Sequence, residues 1–498
     1  MDGEEPGGGL SAAERAVIER GRAWIRDHEE QLVGLLAALV GRQSVTGTEG
    51  THDDPETTVG ALYEFLTEET TRATLTARPV EPGRENCHAV LEGTGEELFV
   101  CTSHTDTVAT GQSSDWPDGE PCNLSSGTVR RVDPGTVALT VDGHTERRTV
   151  RDAYDEVWTR REEEQRAALV GRGAFDNKAS IVCLAGALLA LEQGLDGTEL
   201  GGTLVHGHLV GEEVSQVGAK AFAGWGDRDG WLGSRFPDPE GAVVVLDGSY
   251  GFVPAVGHRG LAWVTLRAEG ESTHAATPHL GENAVLRVAT ALAATDSDAF
   301  RERIGAPFVE DRLLGELTVA AGTTIVGGDV TRDDEGQIGR AGVNAVPDWC
   351  ETTFDVRFPR WEGYPDGVDE IREQFEEAVE AHADATDDRG SVTATVDPAE
   401  FFPPVAIAES RPSAREHPLV ARALAATEST VGYDPGVTVA PGVTDAAAIH
   451  PATGLPTLVE YGPAGGFSHE PWEFVERDSV VEGAAIMLEL SVRQLGLA

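Results

Sequence analysis

Between residues 12 and 41 the apolar positions Val17, Ile18, Trp24, Ile25, Leu32, Leu35, Leu36 and Leu39 recur at helical spacing, which predicts one or two amphipathic helices. A polar stretch over 43–58 reads as a loop. A helix over 59–69 follows, then short strands over 87–92 and 97–101, the second running straight into His104. From 123 to 151 the pattern alternates around Asp133-Pro134-Gly135 and Asp142-Gly143, the signature of a hairpin, and a charged helix is expected over 152–169. Residues 112–170 therefore read as a surface excursion from the main domain. Beyond it, a mostly apolar helix over 179–193 belongs in a core. Strands over 202–210 and 242–246 lead into Gly211-Glu212-Glu213 and Asp247.

The character then changes to strand (261–269), helix (283–295), strands (318–326 and 350–358), helix (368–384) and strand (391–396). That β-α-β-β-α-β order describes a two-layer insert of ferredoxin-like type. The fold class expected is α/β: a mixed-sheet α/β/α domain built from residues 1–257 and 402–498, interrupted by an α+β domain over 258–401. Two domains also suit a chain of 498 residues, since single cores stop growing near roughly 250–300.

Charge narrows the partners. There are 85 acidic and 38 basic residues, a formal charge of −47, and only two of the basic residues, Lys178 and Lys220, are lysines. The acidity is spread along the chain, which suggests a surface built for a high-salt interior. Nucleic acid and anionic membrane are excluded as partners, because both need Lys/Arg contacts with phosphate. Five dispersed cysteines without a CxxC suggest neither disulfides nor a thiolate zinc site. The opening MDGEEPGGGL has no basic or apolar leader segment, and no apolar run approaches the ~18 residues that span a bilayer. A cytoplasmic protein is the expectation.

Hard metal ligands occur at five strand ends or loops: His104 and Asp106 in Ser-His-Thr-Asp-Thr, Asp176 in Gly-Arg-Gly-Ala-Phe-Asp-Asn-Lys, Glu212 with Glu213, Asp247, and His469 in Ser-His-Glu-Pro. Imidazole and carboxylate without thiolate suit zinc, cobalt or manganese. Two histidines and three or four carboxylates exceed the ligand set of one catalytic zinc, but match two ions sharing a bridging carboxylate. Of the adjacent Glu212 and Glu213, one can face metal while the other is left to take a proton from bound water. Any one of these acidic residues alone would read as a solvated surface charge.

Taken in order, these motifs resemble the superfamily of aminoacylase, glutamate carboxypeptidase, acetylornithine deacetylase and succinyl-diaminopimelate desuccinylase. The resemblance covers roughly residues 20 to 490. It implies that His104, Asp176 and Asp247 hold one divalent ion, zinc with cobalt or manganese as alternatives, and that Asp176, Glu213 and His469 hold the other. It makes Glu212 the general base, Asp106 the carboxylate that orients His104, and Asp176-Asn177 a cis peptide. It makes the insert a lid and dimerisation domain, through which a homodimer would place His274 as oxyanion stabiliser. It assigns Asn344, Arg357 and Thr444 to the substrate's carboxylate, although Arg357 could instead pair with a neighbouring acid. The implied activity is cleavage of the amide bond of a dipeptide or N-acyl amino acid. The motifs do not separate exopeptidase from deacylase, and a catalytically silent metal-binding relative is the rival reading. Among the other histidines, His206 and His208 read as packed in a strand, whereas His28, His52, His144, His382 and His417 read as solvated.

Overall fold

The apolar run that begins at Lys178 forms an 18-residue helix, Lys178–Leu195, with buried side chains on every face. By length and composition this helix could cross a membrane, contrary to the expectation that no apolar run reaches that size. It is 94% buried, however, as a core helix is. Helices Ala12–Asp27, Glu29–Val40 and Arg477–Leu495 pack around it. Gly186 permits the close approach, since a Cβ there would press on Leu32 and Ala484. The first of these helices starts from a reciprocal Ser11/Glu14 capping box, which satisfies amides that would otherwise lack partners. The computed structural model describes residues 9–161, 163–225, 230–328, 330–332, 338–340, 344–387 and 389–498. The chain divides into two compact units, Met1–His258 with Val405–Ala498, and Arg259–Pro404.

In the first unit a six-stranded sheet has the order Thr74–Glu81, Arg84–Leu91, Thr203–Leu209, Glu97–His104, Glu240–Val245, Thr457–Leu458. The last four run parallel and the first two antiparallel to their neighbours. Every residue of Thr203–Leu209 is buried, as expected for a strand covered on both faces. Parallel alignment brings the carboxyl ends of the central strands to one edge, with His104 opposite Leu209 and Thr102 opposite Val245. Open α/β sheets form their sites along that edge.

The excursion is not a free ornament. Its strands Ser125–Asp133, Thr136–Val141 and His144–Thr149 continue a second six-stranded sheet through Arg166–Val170 and Phe474–Glu476 to Gly465–Gly466. The helix expected over 152–169 stops at Thr159, and its last residues form the strand Arg166–Val170 instead. That strand pairs on both sides, with Ser125–Val129 and with Phe474–Glu476. Arg161 and Arg166 are drawn inward by the fully buried Glu476, at 2.7 and 2.8 Å, so residues that read as one face of a charged helix are tertiary ion-pair partners. Trp116, Val129, Leu139, Tyr154, Trp158 and Phe474 belong to the core beneath.

The second unit is an antiparallel sheet in the order Thr318–Gly327, Trp349–Phe358, Gly260–Glu269, Ser391–Phe402. Helices Ala284–Ala293 and Val368–Thr386 complete the ferredoxin-like order, to which the short helix Asp298–Gly305 is added. His382 corrects a sequence expectation. It is buried, with its ring 4.4 Å from that of Phe300 and Nε2 2.9 Å from the Ala291 carbonyl, because the apolar stripe of Val368–Thr386 carries it into the core.

Candidate metal centre

His104 is the last residue of a central strand, and Glu212, Glu213 and Asp247 follow the ends of its two neighbours. Asp176 stands just before helix Lys178–Leu195, joined to Asn177 by a cis peptide bond. His469 lies between Gly465–Gly466 and Phe474–Glu476, on a turn where Phe467, His469 and Trp472 all have positive φ. Such backbone is costly for these side chains and persists only where surrounding structure fixes it. The excursion's strand Arg166–Val170, paired with Phe474–Glu476, supplies that support.

These residues converge. Ligand atoms of His104, Asp176 and Glu213 all lie within 4.8 Å of one another. Asp176 faces both histidines, with Oδ1 3.0 Å from His104 Nε2 and Oδ2 3.4 Å from His469 Nε2. Asp247 Oδ1 is 3.7 Å from His104 Nε2, and Glu213 Oε2 is 2.8 Å from His469 Nε2. The five donors thus split into two groups that share Asp176: His104 with Asp247, and His469 with Glu213.

Asp106 is fully buried and does more than face a histidine. Its carboxylate is 3.4 Å from His104 Nδ1, while its carbonyl oxygen is nearer, at 3.1 Å. The same carboxylate accepts the amides of Glu212 and Glu213 at 3.0 and 3.2 Å and the Thr46 hydroxyl at 2.7 Å. It thereby ties the end of one strand to the loop after the next. Sequence reasoning missed Glu473, which is buried, accepts the amides of Phe175 and Asp176 at 3.0 and 2.9 Å, and pairs with Arg172 at 2.6 Å. Its place four residues after His469 was the available signal. Also missed was Asn177, whose side-chain amide donates to the Leu246 carbonyl beside Asp247.

The remaining candidates sit as follows. Thr444 is buried in the first unit and its hydroxyl donates to the Val459 carbonyl at 2.6 Å. His274, Asn344 and Arg357 belong to the second unit. There, Asn344 Nδ2 is 3.0 Å from His274 Nε2, and the Ala276 amide donates to His274 Nδ1 at 3.1 Å. The Arg357 fork is occupied by Asp355, at 2.6 and 2.9 Å.

Electrostatically the cluster calls for cations. Burial pushes Glu213 up to about 7 and raises Glu212 and Asp247 as well. Hydrogen bonds to Asp176 and Glu213 lift His469 to about 10. Burial depresses His104, but its bonds to Asp106, Asp176 and Asp247 outweigh that and hold it well above the usual range. Glu213 Oε1 is buried without a hydrogen-bond partner among the described residues. Oxygen and imidazole donors, an orphaned carboxylate oxygen and surplus negative charge are what hard or borderline divalent ions satisfy.

Residues 149–493 match the model of peptidase family M20/M25/M40. The chain belongs to that family. As an M20 member it is a hydrolase of amide bonds, and the match begins only where the hairpins of the excursion end. A succinyl-diaminopimelate desuccinylase of Methylorubrum populi is 27% identical over 462 residues, covering 90% of this chain and 94% of the relative. A probable carboxypeptidase of Aspergillus clavatus is 30% identical, but over 39% of this chain and 40% of its own length. Among solved structures, the dipeptidase Dug1p of Saccharomyces cerevisiae has a TM-score of 0.62 at 13% identity, covering 97% of this chain and 99% of its own. Human carnosine dipeptidase 1 gives 0.60 at 14%, with 96% and 99% covered. Those two likenesses concern the fold.

Proposed function

We propose that this M20 hydrolase removes a short acyl group from the amino nitrogen of a small carboxylate-bearing amine, using two divalent metal ions, zinc by preference over cobalt or manganese. The observation that carries the reading is Asp176, one oxygen of which faces His104 while the other faces His469. His104, Asp176 and Asp247 would hold one ion, and Asp176, Glu213 and His469 the other. When bound, the pair polarises the amide carbonyl and makes a bound water acidic enough to ionise near neutral pH. Glu212 would take the proton of the attacking water and return it to the leaving nitrogen. Asp106 holds Glu212 in place through its backbone amide. His274, with Asn344 against its ring, is assigned to the developing oxyanion. Thr444 in the first unit and, separately, Asn344 and Arg357 in the second are the candidates for the substrate carboxylate, and the Arg357 fork is held by Asp355.

Acyl transfer to water is preferred over dipeptide cleavage because the desuccinylase relative is matched over nearly its whole length. We place the enzyme in a salt-rich cytoplasm on the strength of its charge. We also propose a homodimer through the second unit, where Leu280, Leu286 and Ile325 are more than half exposed. The test is hydrolysis of N-succinyl amino acids, N-acetyl amino acids and dipeptides in molar KCl by chelator-stripped protein, with and without added zinc, cobalt or manganese. Metal-restored cleavage of the N-acyl substrates is expected. Two bound ions with no cleavage of any substrate would overturn the reading.

A further inference from the structure

Beside the metal cluster, within the first unit, lies a pocket of about 120 Å³ lined by Thr149, Arg151, Tyr154, Phe175, Tyr250 and Phe467, among others. Phe175 precedes Asp176, Phe467 stands two residues before His469, and Tyr250 three after Asp247. The pocket therefore opens on the backbone that carries the cluster. It is small against the roughly 300–1,000 Å³ of whole-ligand sites, so it suits the end of a short chain. Its aromatic walls are buried, and two charged residues line it, Arg151 and Glu470, of which Glu470 already has its carboxylate 3.0 Å from Arg148 and leaves Arg151 as the cation facing the pocket.

Arg151 contrasts with three arginines near it that are paired: Arg148 with Glu470 at 3.0 Å, Arg161 with Glu476 at 2.7 Å, Arg172 with Glu473 at 2.6 Å. Arg151, in a protein with 85 acidic residues, has no carboxylate within 4.0 Å among the described residues. Its Nη1 donates to the Tyr250 hydroxyl oxygen at 3.0 Å, which aims the guanidinium and leaves other donors free. The residue is exposed overall, and although partial desolvation of its guanidinium would lower its pKa, Tyr250, Glu460 and Asp176 raise it, so it stays charged. Burial also pushes Tyr250 up to about 12, which keeps a phenol proton available to donate to a second acceptor.

We infer that Arg151 and Tyr250 form a subsite for a second carboxylate on the substrate, carried at the end of a short acyl or side chain. The excursion that delivers Arg151 is then a specificity element, and the substrate class is an amide with a carboxylate-terminated arm of two to four carbons, as in an N-succinyl group. A planar fork reads a carboxylate through two parallel bonds, and the neighbouring phenol adds a third. This inference rests on the amide hydrolase reading for its catalytic arm and on binding alone for the other.

The experiment compares wild type, Arg151→Ala, Arg151→Lys and Tyr250→Phe as metal-loaded full-length protein, each shown to unfold at the wild-type denaturant midpoint. In calorimetric titration, wild type should bind succinate about ten- to a hundredfold more tightly than butyrate, a chain of the same length lacking the second carboxylate. That ratio should fall toward unity in Arg151→Ala, recover in part in Arg151→Lys, and fall less in Tyr250→Phe. The kcat/KM ratio of N-succinyl to N-butyryl amino acids should move in parallel, chiefly through KM. A wild-type preference that survives in Arg151→Ala, or the absence of any preference for succinate, would overturn the subsite. Should wild type hydrolyse neither amide yet bind succinate through Arg151, the hydrolase reading fails and the subsite stands.

Discussion

Asp106 connects three chain segments through one carboxylate, so its loss should be felt at the metal centre rather than in overall folding. Replacing it with Ala frees the Glu212 and Glu213 amides, and metal affinity should fall about 10- to 100-fold by calorimetric titration. Glu212→Gln should separate proton transfer from metal binding: two ions bound as in wild type, with turnover lowered by roughly 10²–10⁴. Full activity of that variant would remove Glu212 from the mechanism. Glu473 belongs to stability as well, because Glu473→Leu would leave Arg172 buried without its counter-charge. A loss of about 3–5 kcal/mol in urea unfolding is expected. At this scale the donor residues were legible from the chain, because imidazole and carboxylate at strand ends have few other uses in such an order. Glu473, Asn177 and Arg151 were not, since what they do is set by neighbours hundreds or tens of residues away that no local spacing reveals.

The central sheet carries its own pH response. His88, His206 and His208 are buried on adjacent strands, and burial depresses each to about 3 from an ordinary value of 6.5. The unfolded chain takes up protons below pH 6.5 that the folded chain refuses. The stability associated with neutral imidazoles is therefore complete above 6.5, declines as pH falls, and is exhausted near 3, by roughly 1.4 kcal/mol per pH unit for each histidine. Unfolding free energies measured from pH 7 to 4 should show that slope, and His88→Leu should reduce it by one proton's worth; an unchanged slope would mean that His88 is protonated in the folded protein. Most elements were readable from period and turn chemistry, down to the ferredoxin-like order of the second unit. The failure over 152–169 is instructive. Helical spacing of charges continued there, but Glu476 in a distant segment took Arg161 and Arg166 inward, and two strands offered Arg166–Val170 partners on both sides. Tertiary pairing overrode the local pattern.

For the whole molecule, a charge of −47 is the dominant fact. Self-repulsion should weaken the folded state at low ionic strength, and salt should relieve it as the Debye length shrinks from ~10 Å at 0.1 M to ~3 Å at 1 M. The thermal midpoint should climb steadily across that range of KCl, and a flat response would remove the case for a salt-adapted surface. Chelation should act separately: stripping metal at fixed salt should lower the midpoint, because cations that bind only the folded centre stabilise it by mass action. The excess charge was plain in the composition, while its meeting at one sheet edge required the parallel register to be seen.

The order of the donors along the chain has a consequence for biosynthesis. His104, Asp176, Glu213 and Asp247 are made early, but His469 and the strand Phe474–Glu476 that braces its turn come several hundred residues later. At about 5–20 residues per second, the nascent polypeptide spends tens of seconds offering one group of candidate donors complete and the other without its histidine. Under the proposed two-ion reading, the second group would be completed only once translation has passed His469, so metal uptake at the two positions would be separated in time.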